Sequence, residues 1–322
     1  MYTQQRYVLM TLDPVHIGTG GYRLGRVDNS IVREPGTNLP KIPGTSLSGA
    51  VRQYAARRYA KPQCAGQGQG SKDRKPHCGQ STCPICYTFG SIRGAEGGNA
   101  GTVNIGDARL LLFPVYSLAG PVWVTSPATL SDFGIEQRVT GDQARWNDNV
   151  TDQKRLNLGW LMVEKEGDLT LSALPPEIPQ QVRERVVLIS DKLFSQVVNS
   201  NLEVRTSVSI DPLTGAAQEG ALFTYEALPR ATFLWMEVVQ DDYREAFPKT
   251  EKQCQMEERE ENGEQREVYT DNAGDPLGET WEGPLDVVAA GLAWAEYLGI
   301  GGMGTRGFGR IKLVSPEEVN HG

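Results

Sequence analysis

The chain has 322 residues, 39% hydrophobic and 22% charged, which is enough to close a globular core; its 36 glycines and 19 prolines argue against a helical bundle and for a loop-rich α+β protein. No run approaches the roughly 18 apolar residues that a membrane span needs, and the N-terminus lacks a signal peptide's basic-then-apolar layout, so a cytoplasmic protein without membrane contact is expected. The net charge of −8 argues at first against a nucleic-acid partner, but eleven acidic residues against three basic ones between Glu251 and Glu282 carry all of it, whereas seven basic residues stand against Asp73 alone between Arg52 and Lys75.

In chain order, Arg6 to Leu12 reads as a strand ending at Asp13-Pro14, followed by the turn-rich His16-Ile17-Gly18-Thr19-Gly20-Gly21. From Thr45 to Tyr59, Leu47, Ala50, Val51 and Tyr54 recur at helical spacing, with Thr45 or Ser46 available as N-cap. Strands are expected over Thr102–Val115 and Val122–Thr125 and a helix within Pro179–Val198, and Leu222–Val239 holds apolar stretches broken by Pro229. The chain closes with a helix over Leu285–Leu298, a glycine loop over Gly299–Gly309 and a strand over Arg310–Val314. The polar, acidic stretch Gln253–Gly278 reads as a mobile insertion.

Two motifs carry chemistry. Cys64, Cys78, Cys83 and Cys86 follow the spacing C-x13-C-x4-C-x2-C, and two cysteines separated by two residues can aim both sulfurs at one ion. Structural zinc is the expectation, with four thiolates leaving no position for a water nucleophile; His77 is an alternative ligand, and free or disulfide-paired cysteines are the bland alternative. The glycine loop matches G-x-G-x-x-G at Gly299 and again at Gly302, but it follows a helix and enters a strand, the reverse of a dinucleotide fingerprint. What it offers is approachable backbone N–H groups at Gly301, Gly302 and Gly304, with Thr305 and Arg306 beside them, a cradle for a polynucleotide backbone or a plain connector.

Several stretches stand together in order: His16–Gly20, Val27–Glu34, Pro40–Arg52, Ile105–Val115 with Gly120–Thr125, Glu219–Thr224 and the C-terminal glycine loop. On these stretches the chain resembles the RAMP superfamily, and within it the backbone subunit of a type III CRISPR effector of the Cmr kind. The cysteine cluster before Phe89-Gly90 is more similar to the Csm-type subunit. The resemblance implies one RAMP domain over residues 1–322 with a ferredoxin-like, RRM-type core. Its insertions are a zinc lobe at 61–90, a thumb hairpin at 199–230 and the acidic insertion at 250–282. The implied partners are a CRISPR guide RNA, single-stranded target RNA, further copies stacked head to tail and other type III effector subunits.

The resemblance also implies an endoribonuclease whose cleavage aspartate maps onto Asp28, either accepting the proton of the attacking 2'-hydroxyl or holding a divalent cation, Mg2+ or Mn2+. His16 either assists or only closes the strand. Guide contacts are expected from Lys41, Thr45, Ser46, Ser48 and Arg52 around a helix N-terminus, from Arg205 and Phe223 in the thumb, and from the glycine loop. Two other readings stand beside this one. One is a non-cleaving RNA-binding scaffold of the same complex; the other is a guide-processing nuclease acting alone.

Overall fold

The computed structural model describes residues 2–20, 27–66, 77–80, 82–92, 98–248, 254–261, 264–271 and 281–318. The first strand, β1 (Thr3–Thr11), buries Tyr7, Val8 and Leu9 in succession. Three consecutive buried residues require cover on both faces: Tyr7 and Leu9 join one core, Val8 the other. The helix read over Thr45–Tyr59 is α1 (Gly44–Arg58). Neither Thr45 nor Ser46 caps it. The helix starts after Pro43, and the Gly44 N–H donates instead to Asp107 Oδ1 at 2.7 Å, so a carboxylate brought from 63 residues away does the capping.

After the short α2 (Pro84–Phe89), the stretch read as one strand over Thr102–Val115 divides into β2 (Val103–Ile105) and β3 (Arg109–Val115). The break lies at Gly106–Ala108, where Ala108 leaves the sheet to bridge with Ile42. Next come β4 (Val122–Thr125), α3 (Pro127–Phe133), β5 (Ala144–Arg145), β6 (Arg155–Leu158), β7 (Leu161–Gly167) and α4 (Gln180–Arg183).

The span Pro179–Val198 holds a helix as expected, but in two pieces, α4 and a later one, with a strand between them. Val186–Ile189 forms a fully buried strand, β8, and the helix that follows, α5 (Asp191–Ser200), starts only after the N-cap Ser190. A run of four apolar residues fits a buried strand as well as a helix, and three β-branched residues in four favour the strand.

A hairpin of β9 (Glu203–Ile210) and β10 (Ala217–Ala227) precedes β11 (Phe233–Gln240). Within the acidic insertion, β12 (Cys254–Glu261) pairs antiparallel with β13 (Glu264–Asp271). The chain ends with α6 (Pro284–Leu298) and β14 (Ile311–Glu318). Among the described residues no helix is long and apolar enough to cross a membrane.

One ten-stranded sheet organises the molecule, in the order β14-β1-β11-β3-β4-β8-β5-β7-β6, with β2 also paired to β11. Every pairing from β14 to β4 is antiparallel, and β4 with β8 is parallel. Helices α1 and α6 cover one face through Leu47, Val51, Val288 and Leu292; Leu130 and Phe133 of α3, with Leu169 and Ile178, cover the other.

The two helices on the first face touch backbone to backbone. A methyl group added at Gly291 would lie 2.3 Å from the Val51 carbonyl oxygen, so Gly291→Ala must push α6 off α1. The expected loss is about 1–3 kcal/mol, read as a lowered midpoint in thermal or urea denaturation; an unchanged midpoint would contradict this packing.

A third apolar cluster joins the cysteine-rich segment to the ends of these helices. Ile85, Cys64, Cys83 and Cys86 pack with Ala55 and Ala56 of α1, Val287 and Ala290 of α6, and Trp281, which stacks on Tyr59 at 5.5 Å between centroids.

Candidate functional site

Asp28 lies in the segment after β1, fully exposed, yet it is not free. Its Oδ2 accepts from the Thr224 backbone N–H and from Thr224 Oγ1, each at 2.8 Å, and its own N–H donates to Thr224 Oγ1 at 2.9 Å. Main-chain bonds extend the join: Asn29 N–H to the Thr224 carbonyl and Glu226 N–H to the Asn29 carbonyl, both at 3.0 Å. The segment therefore joins β10 through one parallel bridge, Asn29 to Tyr225. Donors aimed at a carboxylate favour its charged form, and the Thr224 bonds, backbone first, hold the Asp28 carboxyl below the ordinary aspartate range.

His16 meets the next two residues of the same strand. Its Nδ1 lies 2.6 Å from the Glu226 carbonyl oxygen, which can only accept, so Nδ1 carries a proton and donates it to that oxygen. Tyr225 stands edge-on to the imidazole at 5.9 Å. The His16 carbonyl in turn accepts from Gly302 N–H at 3.0 Å, which draws in the glycine loop. Gly301 has φ +81°, and a side chain there would start 2.5 Å from the His16 oxygen. Only glycine lets the loop come this close.

The hairpin and the loop form a groove of about 580 Å3 lined by Ser207, Val208, Ser209, Ile210, Ala221, Phe223, Tyr225 and Arg306. Arg205 lies over the Phe308 ring at 4.8 Å and pairs with Glu203 at 2.5 Å. Hydroxyls, two half-buried aromatic rings and a guanidinium share this groove, groups that can stack planar rings and pair with anions. Gly304 and Thr305 sit in the exposed turn beside Arg306. The loop leaves α6 and enters β14, so no helix N-terminus follows it to receive a pyrophosphate.

The residues expected around α1 are placed apart from this group. Lys41 bridges Asp107 at 2.6 Å and Glu34 at 3.1 Å, which raises its pKa, with Asp107 the larger cause. Asp107 also occupies the anion position at the helix start that was expected to receive phosphate. Thr45 is exposed, and Ser46 and Ser48 are half-buried on the first turns. Arg52 faces the cysteine lobe, donating to the carbonyls of Cys64 at 2.7 Å, Gly90 at 2.8 Å and Phe89 at 3.3 Å. Burial lowers its pKa, and the neighbouring sulfurs oppose that shift.

The four Sγ atoms of Cys64, Cys78, Cys83 and Cys86 lie within 4.8 Å of one another, and all four are free thiols. Separations of 3.4, 3.7 and 3.9 Å are far beyond an S–S bond. A tetrahedral ion with ligands at about 2.3 Å has sulfur–sulfur edges of about 3.8 Å, so these donors fit a four-sulfur metal site. His77 stands outside the set, with its ring nitrogens 3.2 and 3.4 Å from Arg52 Nη2 and Nε2 at 3.3 Å from the Gly66 carbonyl.

Sequence reasoning missed the residues that hold the loop. Glu226 is 7% exposed; its Oε2 accepts from Arg33 Nη2 at 2.7 Å and from Ile31 N–H at 3.3 Å. Arg33 also donates to Asn199 Oδ1 at 2.8 Å and to the Ile31 carbonyl at 3.0 Å. The alternation Phe223-Thr224-Tyr225-Glu226 was the available signal, since it separates an aromatic face from a polar one. Glu226→Ala leaves a mostly buried guanidinium short of its counter-ion and is expected to destabilise the protein by about 3 kcal/mol, with Glu226→Gln milder. Denaturant titration of both variants is the check, and equal midpoints for alanine and wild type would refute it.

The family model of the RAMP superfamily matches residues 8–312. The chain belongs to this superfamily. Among curated relatives, the CRISPR system Cmr endoribonuclease Cmr4 of Pyrococcus furiosus is 27% identical over 250 residues, 70% of this chain and 78% of that protein. The endoribonuclease Csm3 of Mycobacterium tuberculosis is 47% identical over a segment of 53 residues, 16% of this chain and 22% of the relative. Among solved structures, a chain of the type III-B Cmr-β complex bound to cognate target RNA superposes with a TM-score of 0.62 at 14% identity, over 97% of this chain and 96% of that one. Oligomeric Cmr4 from P. furiosus superposes with a TM-score of 0.57 at 21% identity, over 99% of both chains. The mixed α+β fold with one large sheet is therefore the RAMP fold of the Cmr4 structures.

Proposed function

We propose that this RAMP protein is a guide-RNA-binding backbone subunit of a type III CRISPR interference complex and that it cuts the complementary target RNA at Asp28. The observation that carries the reading is the exposed Asp28 carboxylate, fixed to Thr224 on the same strand whose Glu226 carbonyl holds His16 and whose Phe223 and Tyr225 line the groove with Arg306, in a chain related to Cmr4 over most of its length. In the reaction solvent water takes the proton of the 2'-hydroxyl, whose oxygen forms a bond to the adjacent phosphorus as the phosphorus–5'-oxygen bond breaks. The departing 5'-oxygen takes a proton back from solvent, giving a cyclic phosphate and a free 5'-hydroxyl. Asp28 holds the attacking group in line, and Arg306 and the loop N–H groups bind the phosphate charge.

The core of this reading is ferredoxin-like, supported by the strand order β14-β1-β11-β3 with α1 and α6 as the two crossover helices on one face. The β9–β10 hairpin is the thumb, and the domain spans 1–322 with the cysteine lobe and the acidic hairpin as insertions. The lobe holds structural Zn2+. Asp28 Oδ1 is one carboxylate oxygen, sufficient for a Mg2+ or Mn2+ ion otherwise held by RNA phosphate and water. When bound, that ion supplies positive charge to the scissile phosphate. Copies stack head to tail on the guide beside other effector subunits in the cytoplasm, through a heterologous interface that does not close on itself.

The test compares complexes assembled with wild-type protein and with Asp28→Ala, with Mg2+ or EDTA, alongside guide- and target-binding controls. Regularly spaced cuts that vanish in the variant while both RNAs still bind support the reading. Unchanged cutting by Asp28→Ala overturns it and moves the nuclease to another subunit.

A further inference from the structure

An exposed aspartate ordinarily samples several rotamers, because nothing opposes rotation about its two side-chain bonds. Asp28 is held differently, by a closed ring of three hydrogen bonds to one residue. The Thr224 hydroxyl accepts from the Asp28 N–H and gives its own proton to Oδ2, while the Thr224 N–H donates to the same oxygen. Both bonds fall on Oδ2, and Oδ1 has no hydrogen-bond partner among the described residues.

We infer that Thr224 is the positioning residue of the cleavage site, pinning Asp28 Oδ2 to the hairpin so that Oδ1 alone is presented to RNA. This rests on the assignment of Asp28 as the cleavage residue and extends it in two ways. First, it separates the two roles open to the aspartate. A carboxylate that already receives two donors on one oxygen is a weak base, as its lowered pKa also reflects, so Asp28 acts as a fixed anion that orients the 2'-hydroxyl or a cation rather than as the acceptor of the proton. Second, it ties the site to the seating of the hairpin. Thr224 stands on β10, so a hairpin displaced by even an ångström carries the carboxylate out of line.

The experiment compares wild type with Thr224→Val, Thr224→Ser and Asp28→Ala, all as assembled complexes. It reads cleavage rate and target affinity, together with the Asp28 carboxyl pKa by 13C NMR in the isolated full-length chain. Valine keeps the shape and the β preference of threonine and removes only the hydroxyl. Thr224→Val is expected to slow cleavage about 10- to 100-fold with target affinity unchanged and to move the Asp28 pKa upward toward its ordinary value. Thr224→Ser, which retains the hydroxyl, is expected to restore most of the lost rate. A wild-type rate in Thr224→Val beside an inactive Asp28→Ala would overturn the positioning role and leave the cleavage assignment standing. Full cutting by Asp28→Ala would bring both down. Equal losses in the valine and serine variants would show that the hydroxyl is not the cause.

Discussion

Asp28→Asn should lower the rate of target cleavage by about two to four orders of magnitude, or about 3–5 kcal/mol of transition-state stabilisation. Asparagine is nearly isosteric and its amide oxygen can still accept from the Thr224 N–H, so hairpin and loop stay joined and only the negative charge is removed. The asparagine variant therefore separates charge from geometry, which alanine cannot do. If charge is what the site requires, Asn and Ala are equally inactive; if the side chain only braces the loop, Asn cuts nearly as well as wild type.

The pH dependence follows from the direction of the Asp28 shift. The carboxyl is held below its ordinary pKa, so the anion is present throughout neutral pH and is lost only as the pH falls through that lowered value. Across neutral pH, the cleavage rate should therefore show no loss attributable to Asp28 protonation. A steep acid limb near neutrality that disappears in Asp28→Asn would contradict the assignment.

How much of this was legible in the sequence depends on the range of the interaction. Local periodicity located α1 and α6 to within a residue or two, and the glycine loop was recognisable from composition alone. The C-x2-C spacing anticipated the four-sulfur cluster, because two of the ligands are close in the chain and the others lie in the same loop-rich stretch. What local reasoning misplaced depends on distant partners. The cap of α1 comes from Asp107, and the acidic pair on Lys41 includes the same residue. The strand Val186–Ile189 is fixed by its place between β4 and β5, where all four side chains are buried.

The same limit explains the site. Asp28 and Thr224 are 196 positions apart, and His16 and Glu226 are 210 apart, so no window could pair them. Arg52 shows the converse. Its place in a basic stretch suggested RNA, but a guanidinium that reaches three carbonyls of one lobe is better satisfied as a bracket than as a surface charge.

With the cysteine cluster read as a structural zinc site, removal of the ion is expected to have the largest effect on stability. Cys83→Ser, or a strong chelator, is expected to abolish stoichiometric zinc and lower the melting temperature by about 10 °C or more. Structural zinc sites carry about 10–16 kcal/mol of apparent binding energy, and about 7 kcal/mol already shifts a domain of this size by that amount. The loss should spread beyond the lobe, since Cys64, Cys83 and Cys86 share a cluster with Ala55, Ala56 and Val287 of the two helices behind the sheet. Acid should act in the same direction, because the sulfurs bind only as thiolates and protons compete with the ion. His77→Ala provides the control. Its ring touches Arg52 and the Gly66 carbonyl and is no ligand, so the variant should keep its zinc. Release of zinc from His77→Ala with retention in Cys83→Ser would show that the ligand set is not the four cysteines, and retention in both would show that the cluster binds no ion through Cys83.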